Sequence, residues 1–148
     1  MNSDGAAAAA DEVAATAGAA VRVVAAALWN QLGEVLIAER PAGKPLAGRW
    51  EFPGGKLDRG ESELGALRRE LREELGIEVT AARPFMRLKA TYPASEVELS
   101  LWIVEAFNGH VRALDGQRLK WVAPAALAKE DLLEADRPFV EALCTMRS

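Results

Sequence analysis

Three glutamates, Glu70, Glu73 and Glu74, fall within five consecutive residues of a chain whose formal net charge is −4, and two adjacent glycines, Gly54 and Gly55, precede them in a loop. Carboxylates this close repel one another unless a cation sits among them. A hard divalent cation such as Mg²⁺ prefers carboxylate oxygens and keeps positions open for water and substrate phosphates. Paired glycines let the backbone approach a metal or a phosphate and offer it a carbonyl or an amide. The combination points to metal-assisted phosphate chemistry. A glutamate cluster alone is more often a solvated face, neutralised here by Arg68, Arg69 and Arg72, so the surrounding spacing has to decide.

The elements that must position these side chains follow from caps and periodicity. Ser62 suits an N-cap and Gly76 a left-handed C-terminal cap, which predicts a helix over 62–75. With Glu70 at zero on a helical wheel, Leu64, Leu67, Leu71 and Leu75 occupy about 60° to 140°, Glu74 about 40° and Glu73 about −60°. The acids therefore border the apolar stripe rather than oppose it. Upstream, VRVVAAALW and GEVLIAER read as two strands joined by a turn at 30–33, a predicted hairpin, and the Gly- and Pro-rich residues 41–60 form a long loop holding a short strand at 49–52. Downstream, EVELSLWIVEAF alternates as a long strand, RLKWVAP is a shorter one and DRPFVEALCTM a C-terminal helix. Helices and strands mix without regular βαβ alternation, which predicts an α+β or mixed-sheet α/β sandwich. The alanine-rich residues 1–20 carry no large side chain and read as a flexible tail, leaving 21–146 as the domain.

At 148 residues one domain is expected, with half of the residues hydrophobic. The acidic pI near 5.1 argues against a broad surface for duplex nucleic acid. Cys144 is the single cysteine, so no internal disulfide forms, and no apolar run is long enough to span a membrane. A soluble cytoplasmic protein, monomer or homodimer, is expected.

The full spacing is more specific than any part of it: Gly55, five residues, Glu61, seven residues, Arg69-Glu70-Leu71, one residue, Glu73-Glu74, one residue, Gly76-Ile77. It resembles the Nudix box of the Nudix hydrolase superfamily, and with GRWEFPGGK before it and DRPFVEAL after it the chain is similar to MutT-like nucleoside triphosphate pyrophosphohydrolases over residues 21–143. The resemblance implies an α/β/α Nudix sandwich whose box forms a loop, helix and loop around Mg²⁺ or Mn²⁺. It implies Glu70, Glu73 and Glu74 as metal ligands with the Gly55 carbonyl contributing, and Glu61 and Arg69 as the ion pair that orients the box. It also aligns Glu105 with a metal-associated family glutamate. Glu105 continues the phase of Val97, Leu99, Leu101 and Ile103, so a charge stands where that strand otherwise presents apolar residues, although a strand end reaching solvent would look the same. The proton acceptor for the attacking water is then Glu70 or Glu105, with Glu73 a further catalytic candidate.

The reaction implied is attack of water on the β-phosphorus of a nucleoside triphosphate, releasing the monophosphate and pyrophosphate. For the substrate, the resemblance points to Arg40, Phe52, Lys56 and Asp136. Asp136 stands where MutT-like 8-oxo-dGTP hydrolases have asparagine. An ionised carboxylate only accepts hydrogen bonds, which suits an exocyclic amino group, whereas a protonated one donates and accepts as an amide does. With Pro138 just beyond, Asp136 would also serve as a plain N-cap. 8-Oxo-dGTP is the leading substrate, with (d)CTP or an oxidised pyrimidine triphosphate behind it. Pro93, sixteen residues past Ile77, keeps ADP-ribose as a lesser option, and a non-catalytic nucleotide-sensing module is the remaining alternative.

Overall fold

The structure is a computed structural model that describes residues 21–43, 46–92 and 95–146, with side chains described except at 91, 92 and 95. The expectation for 1–20 and the position of Pro93 lie outside the described residues. Strand β1 (Val21–Leu28) leads to β2 (Val35–Glu39), β3 (Trp50–Glu51) and β4 (Gly54–Lys56); helix α1 (Glu63–Leu75) follows. Strands β5 (Glu78–Tyr92), β6 (Ser95–Asn108) and β7 (Leu119–Val122), two short 3-10 turns and helix α2 (Arg137–Met146) complete the order.

Two sheets result, one in the order β4-β1-β6-β5 and one in the order β3-β2-β7. The central pairing is parallel, β1 on β6, with Val24 opposite Ser100 and Leu28 opposite Val104. β1 is buried on both faces: Val24, Ala26 and Leu28 pack with Leu67, Leu71 and Leu75 of α1, and Val23, Ala25 and Ala27 with Phe139, Val140 and Leu143 of α2. The sheets therefore lie between the two helices as an α/β/α sandwich. Full burial of each of those three leucines of α1 contributes roughly 1.5–3 kcal/mol, which holds the helix where its acidic edge is needed.

Helix α1 ends as its caps dictate. Ser62 Oγ accepts from the Gly65 N–H at 3.0 Å, and Gly76, at φ 69°, turns the chain and donates to the Arg72 carbonyl.

Two strand expectations are corrected. β1 and β2 are not a hairpin: a Trp29–Val35 bridge and the Asn30 N–H to Glu34 carbonyl bond close the turn, and the strands then part into different sheets. Their apolar runs both need burial on two faces, which a shared two-stranded ribbon cannot supply. The long strand β5 carries no expected counterpart in the sequence reading. Its register with β6 shifts between Val79 and Ala81, between Ala81 and Ala82, and between Pro84 and Met86. Each bulge resets the alternation, and as the outer strand β5 tolerates Pro84 and the charges of Arg83, Arg87 and Lys89.

Candidate active site

The glycine strand and the acidic edge of α1 meet directly. β4 pairs antiparallel with β1, Gly55 opposite Val24 and Gly54 opposite Ala25. A β-carbon on Gly54 would come within 2.7 Å of the Ala25 Cα, and one on Gly55 would lie 2.5 Å from the Glu70 carboxylate. Both glycines are thus required by close approach, the first by β1 and the second by the acid.

Glu70 and Glu74 are buried, at 0% and 2% exposure, and one oxygen of each, Glu70 Oε1 and Glu74 Oε2, has no hydrogen-bond donor. Burial raises the Glu70 carboxyl above its ordinary range, against a hydrogen bond with Glu74 and the pull of Arg69. Burial raises Glu74 further, reinforced by the charges of Glu70, Glu51 and Asp115. Two desolvated acids with unmatched oxygens are unfavourable on their own and favourable around a cation. Their fit to a divalent cation is therefore good. Among the described residues no three acid, imidazole or thiol side chains form a ready cage: Glu73 is turned toward Arg69, away from the buried pair.

Arg69 organises the edge of this pair. Its Nε and Nη2 donate to both oxygens of Glu61 at 2.8 and 2.9 Å, Nη1 to Glu70 at 3.0 Å, and Nη2 to the Lys56 carbonyl at 3.1 Å. A planar guanidinium can serve all of these at once, and it fixes one Glu70 oxygen while leaving the other unclaimed. Glu61 also accepts from the Asp58 N–H, closing the loop ahead of the helix. Glu73 is exposed, with Arg69 Nη1 at 3.4 Å. The half-buried Lys56 follows Gly55 on β4.

Glu105 does not join the cluster. Its side chain is 53% exposed and pairs with Arg83 at 3.4 Å, in a cleft of about 630 Å³ with Trp29 and Met146. Its phase partners Leu101 and Ile103 pack with α2, whereas Val104, of the other phase, packs with α1. The alternation that singled out Glu105 thus directs it to the face away from the box, and Glu105→Gln is expected to leave kcat/KM within about threefold of wild type in a pyrophosphate-release assay.

The structure supplies a different acid. Residues 109–117 dock on the C-terminal end of α1: the Arg112 and Leu114 N–H groups donate to the Leu75 and Glu74 carbonyls, and Gln117 Nε2 reaches the Glu74 carbonyl. Gln117 also accepts from the Asp115 N–H at 3.0 Å, which keeps Asp115 near enough for its charge to act on Glu74. Nothing periodic marks Asp115, because the segment is a loop. Glu51 is the second acid that the sequence reading passed over.

Arg40 and Glu51 form a buried ion pair at 3.3 Å. Arg40 is therefore not the solvated strand end that its position also allowed. Phe52 is buried edge-to-face against Phe139, with centroids 6.4 Å apart, and its N–H donates to Asp136 Oδ2 at 3.3 Å. That long-range bond, rather than a cap on α2, is what the Asp136 side chain makes. Burial pushes its carboxyl up to about 7, against the Phe52 N–H. Among the tryptophans, Trp50 is in the core with Lys120 Nζ 4.8 Å from its ring centroid, and Trp102 donates to Glu63.

Buried acid set against a bare glycine strand, on a sandwich of this topology, marks a hydrolase of phosphate anhydrides. Residues 19–143 match the NUDIX domain, and the chain belongs to that family. It is 39% identical over 125 residues to the CTP pyrophosphohydrolase of Escherichia coli, covering 84% of this chain and 93% of that protein. It is 31% identical over 123 residues to the 8-oxo-dGTP diphosphatase of the same organism, covering 83% and 95%. In three dimensions it resembles the solution structure of the E. coli ORF135 protein with a TM-score of 0.79 at 39% identity, over 87% of this chain and 91% of that one.

Proposed function

We propose that this enzyme hydrolyses noncanonical nucleoside triphosphates to the monophosphate and pyrophosphate with Mg²⁺, Mn²⁺ serving as a substitute, and that 8-oxo-dGTP is the leading substrate. The observation that carries the reading is the Glu70–Glu74 pair, buried with an unclaimed oxygen on each, against Gly55. Glu70, Glu74 and, once turned from Arg69, Glu73 would hold the cation, with the Gly55 backbone beside them. The bound cation neutralises phosphate oxygens and lowers the pKa of a water for in-line attack. Glu70 is the favoured acceptor of that water's proton, since it is buried, close to the other acids and held in one orientation by Arg69. Glu61 keeps Arg69 in place, the half-buried Lys56 beside Gly55 contributes positive charge toward the substrate phosphates, and Arg40, paired with Glu51, shapes the substrate side from below.

A second reading, (d)CTP or an oxidised pyrimidine triphosphate, is favoured by Asp136 itself. Protonated, it offers the donor and acceptor that an oxidised guanine needs; ionised, it accepts from the amino group of cytosine. A carboxyl raised to about 7 is available in both forms near neutrality. The preference for 8-oxo-dGTP over dCTP should therefore fall as pH rises from 6 to 8, and in Asp136→Asn it should stop changing with pH.

The same substitution has a stability signature. Because the folded-state pKa lies above the ordinary 3.8, the unfolded chain releases this proton first, and burial of Asp136 subtracts stability progressively from about pH 4 to pH 7 and in full above it. Asp136→Asn keeps an oxygen for the Phe52 N–H and should raise Tm at pH 8, by on the order of a few kcal/mol in stability, with little change at pH 4. The function is tested with Mg²⁺ by pyrophosphate release from 8-oxo-dGTP, dGTP, dCTP, 5-hydroxy-dCTP and 2-hydroxy-dATP, and by AMP release from ADP-ribose, whose cleavage yields AMP and ribose 5-phosphate. The five triphosphates should differ in rate, with an oxidised base or dCTP in front; ADP-ribose in front would overturn the triphosphate assignment.

A further inference from the structure

Glu63, in the first turn of α1, lies seven residues before Glu70, so Glu63, Glu70 and Glu74 share an arc of about 40° on the helix. All three are buried, but their surroundings are opposite. Glu63 Oε2 accepts from Arg22 at 2.8 Å, Arg87 at 2.6 Å and Ser100 Oγ at 3.1 Å, and Oε1 accepts from Trp102 Nε1 at 2.8 Å. Burial alone would raise its carboxyl; Trp102, Arg22, Arg87 and Ser100 together hold it below the ordinary range. Those donors come from β1, β5 and β6, so one carboxylate ties the start of the helix to three strands. β1 is also the strand on which Gly55 is paired, through Val24.

We propose that Glu63 is a positioning residue for the metal site: it pins the first turn of α1 to β1, β5 and β6 and thereby sets where Glu70, two turns along the same face, meets Gly55. The proposal rests on the metal-dependent reading above. The margin is small, since a single β-carbon at Gly55 would already collide with the Glu70 carboxylate. The residues after Glu74 are held separately by the 109–117 loop, so slippage at the Glu63 end would tilt the helix rather than release it.

Mn²⁺ binding, followed by the electron paramagnetic resonance signal of the free ion, tests this together with the Mg²⁺ dependence of turnover, on the full chain at 25 °C. Glu63→Gln should raise the Mn²⁺ Kd about threefold to tenfold and raise the Mg²⁺ concentration for half-maximal rate by the same factor, while the nucleotide KM at saturating Mg²⁺ stays within about twofold. Arg22 and Arg87 retain Glu98 as a partner, which limits the loss of stability. A role in stability alone would lower Tm and leave the Mn²⁺ Kd unchanged, which would overturn the proposal. Arg87→Gln, on an exposed side chain, should shift the Kd in the same direction by about twofold, and it decides the question if Glu63→Gln fails to fold. A wild-type protein that binds no Mn²⁺ overturns the metal reading itself, whereas wild-type binding with unaltered variants overturns only the role of Glu63.

Discussion

Glu70→Gln is expected to lower kcat by about three to five powers of ten while leaving Tm in EDTA equal to or above that of wild type. Two properties of the site lead to this opposition. On the mechanism proposed above, the amide would take a charge from the cation site and would no longer accept the attacking water's proton, and both losses fall on the transition state. In the metal-free protein, however, that same charge is a liability: Glu70 is fully buried, shares its surroundings with Glu74, and has an oxygen with no donor. Glutamine keeps an oxygen for Arg69 and relieves the repulsion. The paired measurement is steady-state pyrophosphate release and thermal melting with and without Mg²⁺. Wild type should gain stability from Mg²⁺ and the variant should gain far less. Retention of a tenth or more of the activity would remove Glu70 from the mechanism and leave another acid as the acceptor of the water's proton.

The second large effect comes from one methyl group. Gly55 has no left-handed φ, so alanine is acceptable to its backbone, and the whole consequence lies in where the β-carbon goes. At 2.5 Å from Glu70 Cδ and Oε2 it must displace the carboxylate or push β4 from β1. The carboxylate is the more easily moved, but Leu67, Leu71 and Leu75 fix the helix below it and Arg69 limits the rotamers above. A displacement of about 1 Å at a reacting centre costs on the order of 10² in rate, so Gly55→Ala should lose about 10²- to 10³-fold in kcat/KM and need more Mg²⁺ for half-maximal rate. Circular dichroism should show the fold intact. An alanine variant with wild-type Mg²⁺ dependence would show that Glu70 does not work against this strand.

What could be read along the chain was whatever local rules control. Ser62 and Gly76 bound α1 because a hydroxyl at one end and an unencumbered left-handed residue at the other satisfy backbone groups that the helix leaves open. The leucine stripe and the neighbouring acids follow from 3.6 residues per turn, and the spacing from Gly55 to Ile77 identified the family and its class of reaction. β5 stayed hidden because three irregularities break its period, and the β1–β2 turn was visible while the destinations of its strands were not.

The acids show the division most clearly. Periodicity placed Glu105 on one face of β6 but could not say which face α1 would cover, and the packing of Val104 under α1 sends Glu105 the other way. The charge of Asp115 acts on Glu74 only because a loop docks on the helix end, Glu63 is satisfied only because three strands converge on it, and the Asp136 carboxyl is raised by burial where it meets the Phe52 N–H, eighty-four positions away. The sequence by itself determined the helix, its acidic edge and the phosphate chemistry, since these depend on residues a few positions apart. The tertiary structure alone decided which carboxylates are desolvated and which are partnered, because charge and solvation at a point are set by everything packed around it, whatever its place in the chain.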